Sequence, residues 1–213
     1  MQVNRNRNHS AEGFTLVELM AVILIFTLLL GIMVPTIAKV RLSALVSKAQ
    51  TVVSTIDGAC RLYRGDHGIY PRSEPSNPYQ NGAERLVQAL IGYQGDDGKS
   101  GLGFRIARPG RVYGPYNNCE ELDRNKTQGR YVFEDPFGST ILYYRYGAAG
   151  YVTDHNPDGP ENIEAYATGP NGRRFTESFL VLSPGPDEVY GPAPYHDGGF
   201  DRDCDDIFNF TLP

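Results

Sequence analysis

Residues 13–35, GFTLVELMAVILIFTLLLGIMVP, constrain this chain more than any other stretch, because a single acid, Glu18, interrupts an otherwise uncharged apolar run. At about 1.5 Å of helical rise per residue, residues 14–34 reach roughly 31 Å, enough to cross the core of a bilayer. A membrane helix is expected. A carboxylate inside such a span costs on the order of 2.5–3.5 kcal/mol to insert, so Glu18 should have a partner and a task. Cleavage after Gly13 would supply the partner, since the new ammonium on Phe14 would lie one helical turn from Glu18, at i and i+4. That amine would neutralise Glu18 within its own chain or across to a neighbouring helix. An ordinary secretory signal has a shorter apolar core, about 7–15 residues, and an A-x-A cleavage site that is missing here. A plain signal anchor would account for the span and leave Glu18 unexplained.

Beyond Pro35 the pattern turns amphipathic. Ile37, Val40, Ala44, Leu45, Ala49, Val52, Ile56, Cys60 and Tyr63 recur at steps of three and four, while Lys39, Arg41, Ser47, Asp57, Arg61 and Arg64 fall largely elsewhere. One helix is expected from Phe14 to about Arg64, kinked or loosened at Pro35 and ended by the GDHG run at 65–68. Residues 83–90, AERLVQAL, read as a second, short helix. Strands are expected at 131–133, 140–146, 150–153, 164–168 and 175–182, with a turn at 135–138, whereas 91–129 carries no assignable pattern. The 24 glycines and 15 prolines fall mostly after Arg64, which argues for a loop-rich head. The fold class is therefore α+β: a long N-terminal helix packed on a small antiparallel sheet. The expected division is 1–13 leader, 14–35 membrane half of the helix, 36–64 amphipathic half and 65–213 globular head. Most of the 14 tyrosines are taken as half-buried sheet residues.

Net charge is −5 with no basic tract, so nucleic acid is not a favoured partner. The four histidines show no metal spacing, GKS at 98–100 lacks the upstream glycine of a phosphate loop, and no G-x-S-x-G occurs, so nothing argues for an enzyme. Seven acids and one arginine lie between 183 and 206. Such a concentration repels itself in a compact loop, and a hard cation with oxygen ligands would remove that cost, calcium better than magnesium. The alternative is a solvated acidic loop. An EF-hand is excluded, because Asp201, Asp203 and Asp205 begin its pattern but Asp206 replaces the glycine and Leu212 the glutamate. The acidic run at 154–159 reproduces the first half of the pattern, but Ala165 stands at the glutamate position with Glu164 one place early, so it reads as an Asx-rich turn.

The N-terminal residues resemble a known family. A polar leader with Arg5, Arg7 and His9, then Gly13, Phe14 and Glu18 ahead of a long apolar helix, is similar to the class III signal of type IV pilins and type II secretion pseudopilins. HGIYP at 67–71 with the following short helix, DPFG at 135–138, and S-x-G-x-D followed by D-D-I near the C-terminus resemble the major pseudopilin. The resemblance implies a prepilin peptidase that cuts after Gly13 and methylates the Phe14 amine, and a role for Glu18 in subunit register. It implies a calcium loop held by the side chains of Asp187, Asp205 and Asp206 and the carbonyl of Pro184; the longer insert at 192–200 makes Asp203 a substitute ligand. It further implies a single-pass protein of the inner membrane with an exported head, assembled with copies of itself into a helical filament, alongside other pseudopilins and an inner-membrane assembly platform. In an oxidising compartment, Cys119–Cys204 is the expected bridge among the three cysteines. The rival expectation is a minor type IV pilin or pilus-tip adhesin whose 92–129 region contacts a surface.

Overall fold

The computed structural model describes residues 13–74, 81–92, 104–105, 112–127, 130–147, 150–151, 159–160, 162–176, 178–191, 193–196, 199–200 and 204–210. The chain forms two compact units, Met1–Ser43 and Ala44–Pro213. Helix α1, Leu16–His67, is a single element that continues past Pro35. Its start and end both lie within three residues of the boundaries the periodicity predicts.

Within the first unit the large apolar side chains of α1 are open, Leu16, Leu24, Leu28 and Ile32 among them. The helix is long and apolar enough to cross a membrane by length and composition. Its threonines are satisfied by the helix itself: Thr27 Oγ1 donates to the Leu24 carbonyl at 2.8 Å and Thr36 Oγ1 to the Ile32 carbonyl at 3.0 Å. In hydrocarbon, where no water competes for such groups, internal satisfaction of this kind is required.

The second unit is the α+β head. From Ala49 onward α1 buries Ala49, Val52, Val53, Ile56, Ala59 and Cys60, the spacing of one helical face. Helix α2, Gly82–Ile91, adds Leu86, Val87, Leu90 and Ile91 to the same core. The strands are β1 (Phe104–Arg105), β2 (Val112–Tyr113), β3 (Arg124–Thr127), β4 (Arg130–Phe133), β5 (Leu142–Gly147), β6 (Gly150–Tyr151), β7 (Phe179–Ser183), β8 (Tyr195–His196), β9 (Gly199–Phe200) and β10 (Ile207–Phe208); α3 spans Ile163–Tyr166. The principal sheet is antiparallel in the order β10-β7-β5-β6, with Leu142 opposite Leu182 and Ile207 opposite Ser183.

Alternation along its strands sends side chains to two different cores. Ile141, Tyr143, Phe179 and Val181 join the α1 and α2 cluster, while Leu142, Tyr144, Leu180 and Leu182 join a second cluster with Ile163 and Tyr166 of α3. All five residues of β7, FLVLS, are consequently buried, as in a sheet covered on both faces.

Two sequence expectations are corrected. Residues 164–168 are not a strand: Asn162 Oδ1 accepts the Ala165 N–H at 3.2 Å and opens a helical turn, which turns Ile163 and Tyr166 onto the sheet. The strand expected at 175–182 begins only at Phe179. Most of the described tyrosines are half-buried, as expected, while Tyr143, Tyr144 and Tyr166 are fully buried. The hydroxyls of two of them find partners: Tyr143 Oη donates to the Pro71 carbonyl at 2.7 Å and Tyr166 Oη to the Gly191 carbonyl. The region 91–129, unassignable from its pattern, holds β1, β2, β3 and a 3-10 turn at Cys119–Glu121.

Candidate functional site

Gly13, Phe14 and Thr15 precede α1 in exposed, non-helical backbone, with Phe14 88% exposed. A Cβ at Gly13 would meet nothing within 4 Å among the described residues, so the backbone there is uncrowded. The helix itself is started by Thr15. Its hydroxyl accepts the Glu18 N–H at 3.2 Å, and Glu18 Oε2 accepts the Thr15 N–H at 2.9 Å and the Thr15 hydroxyl at 2.8 Å. This is a reciprocal capping box, T-x-x-E, that satisfies orphan donors at both ends of the first turn. Cutting the 13–14 bond leaves every one of these bonds in place. The two that reach the carboxylate both fall on Oε2; Glu18 Oε1 takes none from the described residues. Pro35 lies within α1, which continues through it.

The C-terminal acidic loop begins where β7 ends. Ser183 Oγ donates to Asp135 Oδ2 at 2.6 Å, and Asp135 Oδ1 accepts the N–H groups of Phe137 and Ser139 at 2.9 Å each, so the DPFG turn and the start of the loop share one buried carboxylate. Pro184 leads into a 3-10 turn at Gly185–Asp187. Asp187 Oδ1 then accepts the Val189 N–H at 2.9 Å, and Asp205 Oδ2 accepts the Asp187 N–H at 3.2 Å, which ties the two halves of the motif together.

Asp206 is buried beside them. Its Oδ2 accepts the Gly191 N–H at 3.2 Å, and its Oδ1 is buried without a hydrogen-bond partner among the described residues. Burial pushes its carboxyl up to about 7; the Gly191 N–H and the Tyr166 hydroxyl pull it back, and the charges of Asp205 and Asp187 add to the rise. The structure thus brings Pro184, Asp187, Asp205 and Asp206 into one loop pair. Asp203, the substitute ligand, and the acidic turn at 154–158 lie outside the described residues. Among the described residues no group of three or more His, Cys, Asp or Glu side chains stands ready to hold a metal ion. The donors that meet there are hard oxygens, one of them a buried carboxylate oxygen without a partner among the described residues.

The structure holds Cys60, Cys119 and Cys204 all as thiols, and it places the expected partners Cys119 and Cys204 in different surroundings. Cys119 is buried in the α1 and α2 core, whereas Cys204 Sγ lies 3.8 Å from Asp206 Oδ2 and close to Tyr166, which packs on the opposite face of the sheet. Two residues of the site escape the spacing argument. Thr15 is signalled by T-x-x-E ahead of an apolar run, and Asp135 by an Asx turn.

No curated protein and no solved structure matches the chain. One family model does match, the prokaryotic N-terminal methylation motif, over residues 8–34. That span contains the exposed 13–14 bond, the Thr15 and Glu18 cap and the apolar first half of α1, and the chain therefore carries a type IV pilin-like, prepilin-type signal on a long membrane-anchoring helix.

Proposed function

We propose that the chain is the precursor of a structural subunit of a pilus-like filament, a major pseudopilin of a type II protein secretion system, and not an enzyme. What carries this reading is the junction at Gly13: an exposed bond inside a methylation motif, set immediately before a helix cap that survives the cut. Prepilin peptidase removes residues 1–13 and methylates the new Phe14 amine. The span of α1 then stores the subunit in the inner membrane, with the head exported.

During assembly Glu18 holds two partners at once. Thr15 keeps Oε2 and so fixes the carboxylate on the helix, leaving Oε1 to meet the Phe14 ammonium of the neighbouring subunit. An ion pair in a low-dielectric setting is strongly distance-dependent, so it sets the register in which a subunit is added beside other pseudopilins on the assembly platform. In the head, calcium would be held by the carboxylates of Asp187, Asp205 and Asp206 and the carbonyl of Pro184, with Asp203 as a further donor; it neutralises the crowded acids and stiffens the loop that closes on β7 and β10.

Replacing Glu18 separates anchoring from assembly. Glu18→Ala is expected to fractionate with the membrane and to be processed, yet to give no filaments in the sheared, sedimented fraction. Normal filaments from that variant would overturn the proposed role.

A further inference from the structure

The odd cysteine count finds an explanation in the packing of residues 116–119 against α1. Asn117 Nδ2 donates to the Thr55 carbonyl at 2.9 Å, and a Cβ on Gly58 would stand 2.8 Å from that same nitrogen, so the Asn117 amide lies directly against the helix at 55–58. Tyr116 lies beside the next turns of the helix: its ring centroid is 5.7 Å from that of Tyr63, and its hydroxyl donates to Asp66 Oδ2 at 3.1 Å. Cys60 falls between these two attachment points. Cys119 follows in the same segment, turned back by its N–H bond to the Tyr116 carbonyl at 3.0 Å. Both side chains are 0% exposed and belong to one core cluster, whereas Cys204 lies with Asp206 and Tyr166.

We propose that Cys60 and Cys119 form a disulfide as the head folds in an oxidising compartment, fastening the 116–121 segment to α1 and leaving Cys204 as the single thiol. The compartment rests on the exported-head reading; the pairing rests on the packing. The step is a thiol-disulfide exchange with a disulfide donor. One cysteine thiolate attacks a donor sulfur to give a mixed disulfide and a released donor thiol, and the second thiolate then displaces the other donor sulfur. The two cysteine sulfurs are oxidised, the donor disulfide is reduced to two thiols, and those thiols take up the two protons. Burial pushes the Cys60 thiol well up and the Cys119 thiol up to about 12, so thiolate is scarce once the core has closed. Exchange therefore belongs to folding, and the completed reduced core is inert to oxidant.

The test is to refold the full chain from denaturant into detergent and a glutathione redox buffer, then to count thiols by maleimide labelling under denaturing, non-reducing conditions and to map linked peptides by mass spectrometry. The expected result is one thiol per chain and a linked peptide pair carrying Cys60 and Cys119, with Cys204→Ser giving none and the same linked pair. Three thiols, or a link that includes Cys204, would overturn the pairing. The same count on protein extracted from membranes of expressing cells separates the two readings: a bridge on refolding with three thiols in the membrane form upholds the pairing and refutes the oxidising compartment.

Discussion

At Gly185 the backbone stands at φ 75°, and a Cβ there would sit 2.3 Å from the Asp205 carbonyl oxygen. Glycine is required twice over, by conformation and by close approach, and it is the contact that seats the two halves of the acidic loop on each other. Gly185→Ala is expected to lower stability by about 1–3 kcal/mol, read as a fall in the thermal midpoint of the detergent-solubilised chain. An unchanged midpoint would mean that the loop does not close as described. Glu18 is informative at the same scale. Its charge makes it conspicuous in the sequence and directs attention to an external amine; its local partner, Thr15, is uncharged and adds nothing to hydropathy, so only the capping pattern betrays it.

Helix α2 repeats the device on the element scale. Asn81 Oδ1 accepts the Glu84 N–H at 2.9 Å, while Glu84 is buried and faces Arg130 Nη1 at 3.5 Å. Burial pushes the Glu84 carboxyl above its ordinary range, outweighing Arg130 and the Asn81 N–H, which pull it down. A carboxyl whose folded-state pKa exceeds its unfolded value contributes stability that is present in full below the unfolded pKa and lost as pH rises through the folded value. Glu84→Gln keeps the cap and removes the charge, so its thermal midpoint relative to the parent chain should increase as pH rises above the ordinary carboxyl range; a difference that falls as pH rises would contradict the assignment. Helices α1 and α2 were legible because a 3.6-residue period persists over several turns. The strands were less so: β7 is apolar on both faces and shows no alternation, and the turn that opens α3 depends on Asn162 alone.

For the whole molecule, the acidic loop is where sequence and structure meet only in part. Asp187, Asp205 and Asp206 resemble the calcium loop of the major pseudopilin, and the structure brings them together beside a buried carboxylate oxygen that has no partner among the described residues, whereas residues 201–203 lie outside the described residues. If calcium binds the folded head alone, free calcium at about 100 times its dissociation constant adds about 2.7 kcal/mol, a rise of roughly 5–10 °C in the midpoint relative to chelator. Asp187→Ala and Asp205→Ala should each abolish that rise; a rise that survives both places the ion elsewhere. The anchoring helix and its signal make the sharper claim, since everything proposed about assembly begins with the cut at Gly13. The mass of the N-terminal peptide, taken from sheared filaments of the native host, tests it directly. A peptide beginning at N-methylated Phe14 is the predicted result, and one that begins at Met1, or at any residue other than Phe14, would contradict the account.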